Sequence, residues 1–220
     1  VSMDASQNLF ILLLLGGFVG GKLFFYFEDF SQYLADPSLM LDRLGGGFVF
    51  YGSLLCCLPI VVLFARRQGV PLLNMLDHIA ITACIAHIFG RMGCLGAGCC
   101  HGVPAEGLPW AITYTDTACA ADPLDTPLHP TPIYSILLIG SILAVLLLIQ
   151  RRQRFDGQLF LIYVSLYAVG RSVIEEFRGD EARGFVLDGL LSHSQLIALL
   201  MLIGAAGFYF YLLKKKNYLP

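Results

Sequence analysis

The sequence predicts an all-α polytopic membrane protein, with about six transmembrane helices around a polar, outward-facing and lipid-accessible cavity. Three observations lead there. Hydrophobic types make up 57% of the 220 residues and charged types only 14%, against about a quarter charged in soluble domains. Six segments reach the roughly 20 mostly apolar residues that a spanning helix needs: about 8–27, 47–65, 73–90, 132–150, 157–177 and 194–213. Basic residues then mark alternate gaps: Arg66–Arg67 after the second segment, Arg151, Arg152 and Arg154 after the fourth, Lys214–Lys216 after the sixth, eight of the 14 Lys+Arg in all. By the positive-inside rule these gaps and both termini are cytoplasmic, and segments 28–46, 91–131 and 178–193 face outward. One transmembrane domain over residues 1–220 is expected. The composition also excludes classes. The net charge of −2 offers no basic excess for nucleic acid, and the apolar content excludes disorder.

The first segment does not read as a convincing signal peptide. It lacks a basic n-region, its apolar run is too long and no small-x-small cleavage site follows. Gly16, Gly17, Gly20 and Gly21 suit close helix–helix approach. In the third segment Asp77, Cys84, His87 and Arg91 fall on or near one helical stripe. Asp77 and His78 lie towards the cytoplasmic end, and Arg91 is expected to end the helix on the outside, one turn above His87. As structure alone, a single intramembrane His is a helix–helix hydrogen bonder. In the fifth segment Tyr163, Tyr167, Arg171 and Glu175 recur every four residues, with Arg178 three further on. At 3.6 residues per turn they share a face, and that face cannot meet lipid. As structure alone, Arg171 and Glu175 neutralise each other and Arg178 anchors at the headgroups.

Arg91 and Arg171 thus come from two helices in the outer half of the membrane. Guanidinium groups suit bidentate binding of phosphate, and the phosphate available at that depth is a phospholipid headgroup. The residues alone therefore point to a lipid-phosphate site lined by arginines.

Seven cysteines are present. Cys56, Cys57 and Cys84 read as small apolar fillers within helices. Cys94, Cys99, Cys100 and Cys119 belong to the Gly-, Pro- and Cys-rich outward loop 91–131, whose length itself points to function. An outward location permits disulfides, and a bridge from Cys119 to one of the other three is one reading. The run GCLGAGCCHG also sets three thiols beside His101, a set that can hold a soft metal, although the spacing C-x4-C-C-H matches no metal motif.

Five blocks carry a family resemblance. HIFGRMGCLGAGCCHG resembles the glycine-arginine signature of prolipoprotein diacylglyceryl transferases. GGKLFFYFEDFSQYLADPSLML is similar to that family's first helix and outer arm, GGGFVFYGSLL to its GG-x-x-x-H-G-G block, HPTPIYS to HPSQLYE, and YAVGRSVIEEFRGD to the late Tyr-x-x-x-Arg helix. The similarity runs in order from about residue 8 to residue 213. It implies a bacterial inner-membrane enzyme that moves a diacylglyceryl group from phosphatidylglycerol to the lipobox cysteine of a prolipoprotein, with its site towards the outer leaflet.

It also implies that Arg91 and Arg171 match the essential arginines, Tyr167 the tyrosine one turn before the second of them, Glu175 the acidic residue after it, and His129 the His of HPSQLYE. The sequence departs from the pattern at several positions. Tyr51 stands where the family has the H-G-G histidine, Cys94 replaces an Asn, and the closing Glu is replaced within Cys99–Cys100. HPTPIYS lacks the Gln and the final Glu. Typical members carry a further helix before the first block, so a chain shorter than those members is expected.

The chemistry implied is displacement at carbon. A thiolate attacks the glyceryl CH2 and the phosphate ester leaves. Arg91 and Arg171 would stabilise the leaving charge, and His129 or His87 would take the thiol proton. Tyr51 would contribute by hydrogen bonding, and no metal or cofactor is required. Arg178, Cys94, Cys99 and Cys100 join Glu175 and Tyr51 as candidate substrate-binding positions. Two other readings stay open: a related transferase with a different acceptor that uses one of those cysteines as its own nucleophile, and a non-enzymatic lipid-binding or redox protein built on the Cys-rich loop.

Overall fold

The computed structural model describes residues 2–28, 30–42, 47–178, 185–186 and 191–217. Parts of three of the blocks above, Asp29, Gly45 and Gly46, and residues 179–180, lie outside the described residues. The described chain is mostly helical: α1 (Met3–Glu28), α2 (Phe30–Ala35), α3 (Leu39–Asp42), α4 (Phe50–Gln68), α5 (Leu72–Ala97), α6 (Thr131–Gln150), α7 (Gln158–Glu175) and α8 (His193–Asn217). Two antiparallel pairs of two-residue strands complete it, β1 (Ile112–Thr113) with β2 (Pro127–Leu128) and β3 (Phe185–Val186) with β4 (Leu191–Ser192).

α1, α5, α6 and α8 are each long and apolar enough to cross a membrane, so this is a multi-pass membrane protein. α4 and α7, at 19 and 18 residues, span roughly 27–29 Å at 1.5 Å per residue, close to the thickness of a bilayer core. Their composition is more mixed. Arg66 and Arg67 close α4, and Arg171 and Glu175 sit inside α7. Length and composition therefore mark four candidate spans among the described residues, and the expected total of six needs these two helices as well.

The chain forms two compact units, Val1–Met75 and Leu76–Pro220. In the first, α1 packs against α4. Glycines set the approach, as their density predicts. A Cβ on Gly20 would collide with the carbonyl oxygen of Gly52, and one on Gly52 would collide with that of Gly20. Ser53 Oγ donates to Gly17 O at 2.8 Å across the same seam, the polar glue that membrane helices use where the hydrophobic effect offers no drive.

In the second unit α7 packs on α6 and α8, and Ala80 and Cys84 of α5 are buried with Ile139, Ile142 and Leu146 of α6 and Leu159 of α7. The start of α7 is fixed by a charge from α5. Gly157 occupies the N-cap position and has no side chain to cap with. Asp77, 1% exposed, takes that role: its Oδ2 accepts from Gly157 N at 2.6 Å and from Gln153 Nε2 at 2.5 Å, and its Oδ1 accepts from Phe160 N at 2.9 Å. A carboxylate here satisfies orphan N–H groups and the positive end of the helix dipole together. Buried Gln158 extends the junction to α8 by donating to Tyr209 Oη at 3.1 Å.

α5 overruns the expected boundary. Arg91 does not end it, because the helix continues to Ala97. It stops in a Schellman turn: Gly98 takes φ 71°, Cys99 N donates to Cys94 O at 3.1 Å and Gly98 N to Leu95 O at 3.3 Å. A left-handed residue after the last turn, with those two bonds, is how helices commonly terminate. Arg91 and Cys94 are therefore helical residues, and the loop begins at Gly98.

Candidate active site

α5 and α7 run side by side in the same direction. Asp77 bonds Gly157 near the start of both, and ten residues on in each helix the His87 ring meets the Tyr167 ring, centroids 5.5 Å apart. Both contacts carry the same offset, 80 residues. One further turn along each helix lie Arg91 and Arg171, so the two expected arginines stand at the same height on adjacent helices. Each is held within its own helix. Arg91 Nε donates to His87 Nε2 at 3.3 Å, and Arg171 pairs with Glu175. The face of α7 is continuous, since Tyr163 and Tyr167 stack at 5.9 Å. Tyr163, Tyr167, Arg171 and Glu175 follow the four-residue spacing along α7, and His87 and Arg91 of α5 stand beside that face.

The geometry separates the two candidate histidines. The Nε2 of His87 accepts from Arg91 Nε. His129 stands apart from that face, near the N-terminus of α6. Its Nδ1 lies 3.1 Å from Tyr134 Oη, which also accepts from Trp110 Nε1 at 3.0 Å. The His129 ring packs on Phe177, centroids 5.2 Å apart. Together with Leu108, Ile133 and Leu137 these groups line an open, largely apolar pocket of about 630 Å³. Trp110, Tyr134 and Phe177 were not singled out from the sequence. The signal available was the aromatic in HPTPIYS, five residues after the histidine.

Three of the four cysteines of segment 91–131 converge. The sulfurs of Cys94, Cys99 and Cys100 all lie within 4.8 Å of one another, because the Schellman turn at Gly98 folds the chain back over the last turn of α5. All seven cysteines are free thiols, so the expected bridge from Cys119 is not formed. Nor does His101 join the cluster: its Nδ1 lies 3.1 Å from Gly102 O and its Nε2 accepts from Asp122 N at 3.4 Å.

Cys100 takes φ 61°, a conformation uncommon for a side chain without local polar support. Thr131 Oγ1 holds it by donating to Cys100 O. The two loop thiols are driven apart electrically. Burial, then the neighbouring Cys100 and Cys94, push Cys99 up to about 12. Burial also raises Cys100, but Arg178 and Arg91 outweigh it and bring Cys100 below the ordinary thiol value. Those guanidiniums tie the thiol cluster to the arginine row, and this is where Arg178 is found.

Gly102 locks the loop to the helices. Gly102 N donates to His129 O at 2.8 Å and Val103 N to Phe177 O at 3.0 Å; a Cβ on Gly102 would strike both Phe177 O and the His129 side chain. Tyr51, on α4, belongs to the first unit and is exposed there.

Known proteins are similar in sequence to this chain along most of its length. The family model for prolipoprotein diacylglyceryl transferase matches residues 1–211. A phosphatidylglycerol–prolipoprotein diacylglyceryl transferase of Clostridium tetani is 37% identical over 200 residues, covering 91% of this chain and 78% of that protein. Similar matches are the second such enzyme of Clostridium perfringens, 32% identical with 91% and 76% covered, and that of Azotobacter vinelandii, 33% identical with 94% and 77% covered.

Proposed function

The chain belongs to the prolipoprotein diacylglyceryl transferase family, and from that premise we propose that it moves the diacylglyceryl group of phosphatidylglycerol onto the cysteine thiol of a prolipoprotein. The observation that carries the reading is the pairing of Arg91 and Arg171 at one height on parallel helices. A guanidinium held by His87 and a second held by Glu175, inside an apolar bundle, suit an anionic headgroup.

In the proposed reaction the acceptor sulfur forms a bond to the glyceryl CH2 while the C–O bond to phosphate breaks. The electron pair leaves with glycerol phosphate. Charge grows on that phosphate oxygen, and Arg91 and Arg171 lie where a preorganised cation acts without reorganisation cost. Glu175 holds Arg171 in place, and His87 does the same for Arg91. Tyr167 links the two helices one turn below.

His129 is the base in this scheme, because the ring nitrogen of His87 that faces Arg91 is engaged. The apolar pocket beside His129 suits an acyl chain or the apolar side chains that flank the acceptor cysteine. The reading puts the chain in the bacterial inner membrane with the site towards the outer leaflet, and the alternate basic gaps support cytoplasmic termini.

The test is a transfer assay in detergent with labelled phosphatidylglycerol and a lipobox peptide carrying Cys, with a Cys→Ser peptide as control. Thioether product that needs the peptide thiol and disappears in Arg171→Ala supports the reading. A folded protein that binds phosphatidylglycerol and forms no thioether overturns it.

A further inference from the structure

The three converging sulfurs have no part in the chemistry above. They lie at the end of the helix that carries Arg91, and guanidinium groups of Arg91 and Arg178 act on one of them. Thiols bound tetrahedrally to zinc at about 2.3 Å sit roughly 3.8 Å apart, so sulfurs already within 4.8 Å need close by only about 1 Å. All three are partly accessible, which leaves a path for an ion. His101 cannot complete the set as it stands, because both of its ring nitrogens are engaged elsewhere in the loop. Three ligands and an open fourth position are the pattern of a reactive zinc site, whereas structural sites are closed by four.

We propose that Cys94, Cys99 and Cys100 bind one zinc ion as thiolates and that its fourth position receives the acceptor thiol of the prolipoprotein.

This rests on the transferase reading and deepens it. Three thiolates and Zn²⁺ leave one net negative charge, which Arg91 and Arg178 offset. A thiol that coordinates zinc loses its proton outright. Here the S–H bond breaks, the S–Zn bond forms, and the proton passes to His129, whose Cβ adjoins Gly102 of the same loop. The sulfur then attacks the glyceryl carbon as the C–O bond to phosphate breaks, and the S–Zn bond is released as the thioether leaves. The arrangement gives the cysteines that depart from the family pattern a shared purpose: they activate the nucleophile, while the arginines stabilise the leaving group.

The experiment uses the full chain in detergent, stripped with a chelator and titrated with Co²⁺, which reports thiolate ligation by its charge-transfer absorption. Expected are one Co²⁺ per chain, displacement by Zn²⁺, and a further rise in the band on adding a Cys lipobox peptide but not its Ser counterpart. Cys94→Ser, Cys99→Ser and Cys100→Ser each lose the band, and Cys119→Ser keeps it. Should a variant fail to fold, the wild type still decides: Zn²⁺ must protect Cys94, Cys99 and Cys100 from alkylation, mapped by mass spectrometry, and leave Cys119 reactive. Absence of stoichiometric binding, or a cobalt spectrum blind to the peptide thiol, overturns the proposal. Full transfer activity in excess chelator overturns it while leaving the transferase reading standing. A peptide-sensitive cobalt spectrum without any transfer supports the site and defeats the transferase reading.

Discussion

Replacing Asp77 by Asn removes one charge and no volume, and its cost can be worked from three hydrogen bonds. In the native carboxylate Oδ2 serves Gly157 N and Gln153 Nε2, and Oδ1 serves Phe160 N. The asparagine amide has one acceptor oxygen, and its cheapest orientation keeps that oxygen on the first two donors. Phe160 N–H then faces an NH2 group, and a buried orphan donor costs about 1–3 kcal/mol. The two retained bonds change from charge-assisted to neutral, losing about 1 kcal/mol each. The sum is about 4 kcal/mol.

For a chain of this length about 2–4 °C accompanies each kcal/mol, so the apparent Tm falls by about 8–16 °C. The assay is thermal loss of helical circular dichroism in detergent micelles, paired with transfer activity measured well below the mutant's transition. Activity per folded molecule is expected to stay near that of the native protein, since Asp77 lies about 21 Å along α5 from Arg91 at 1.5 Å per residue. An unchanged Tm with abolished transfer would refute the reasoning and make Asp77 part of the chemistry.

Arg171→Ala is expected to lower kcat/KM by about 100- to 1000-fold, the usual cost of removing one preorganised charge. Arg171→Lys recovers part of it because a point charge replaces a bidentate fork; equal rates for the two variants would count against a phosphate contact. Gly52→Ala forces a methyl group onto the backbone of α1 and costs about 1–3 kcal/mol, read as a lower Tm. Gly17→Ala meets only Cys57 Sγ, at an ordinary 3.7 Å, and leaves Tm nearly unchanged. In the metal-free protein at about pH 8, iodoacetamide modifies Cys100 before Cys99. The first thiol is held below the ordinary value by Arg178 and Arg91, the second is pushed up to about 12 by burial, and the thiolate is the nucleophile. Peptide mapping against time reads the order, and a faster Cys99 would refute it.

The helices were legible because length and hydropathy suffice to find them in a membrane protein. The face of α7 was legible because four-residue spacing of Tyr163, Tyr167, Arg171 and Glu175 is local information. The end of α5 was not. Gly93 and Gly96 read as loop residues, yet glycine is tolerated in membrane helices, and the true stop depends on the left-handed Gly98. The duty of Asp77 was hidden for a different reason. Its stripe with His87 and Arg91 looked functional, whereas its partners lie 80 residues away. The clue was at the other end: α7 begins at a glycine with no capping side chain, and a buried helix start must find an acceptor somewhere.

The thiol cluster shows why a linear motif search fails here. C-x4-C-C matches no metal signature because the spacing does not close the site by itself; the Schellman turn does. Cys94 sits one turn beyond Arg91 on α5, and reversal at Gly98 returns Cys99 and Cys100 to its sulfur. The left-handed backbone at Cys100, fixed through its carbonyl by Thr131 at the start of α6, then sets the third sulfur. Strain of this kind at a non-glycine residue persists only where surrounding structure over-determines it. The same Thr131 follows His129 by two residues, so the turn that seats the thiols and the turn that seats the histidine are one construction. A substitution that relaxes it, such as Thr131→Val, is therefore expected to disturb thiol reactivity and histidine-dependent transfer together. Independent changes in the two would show that the sulfurs and the base are positioned separately.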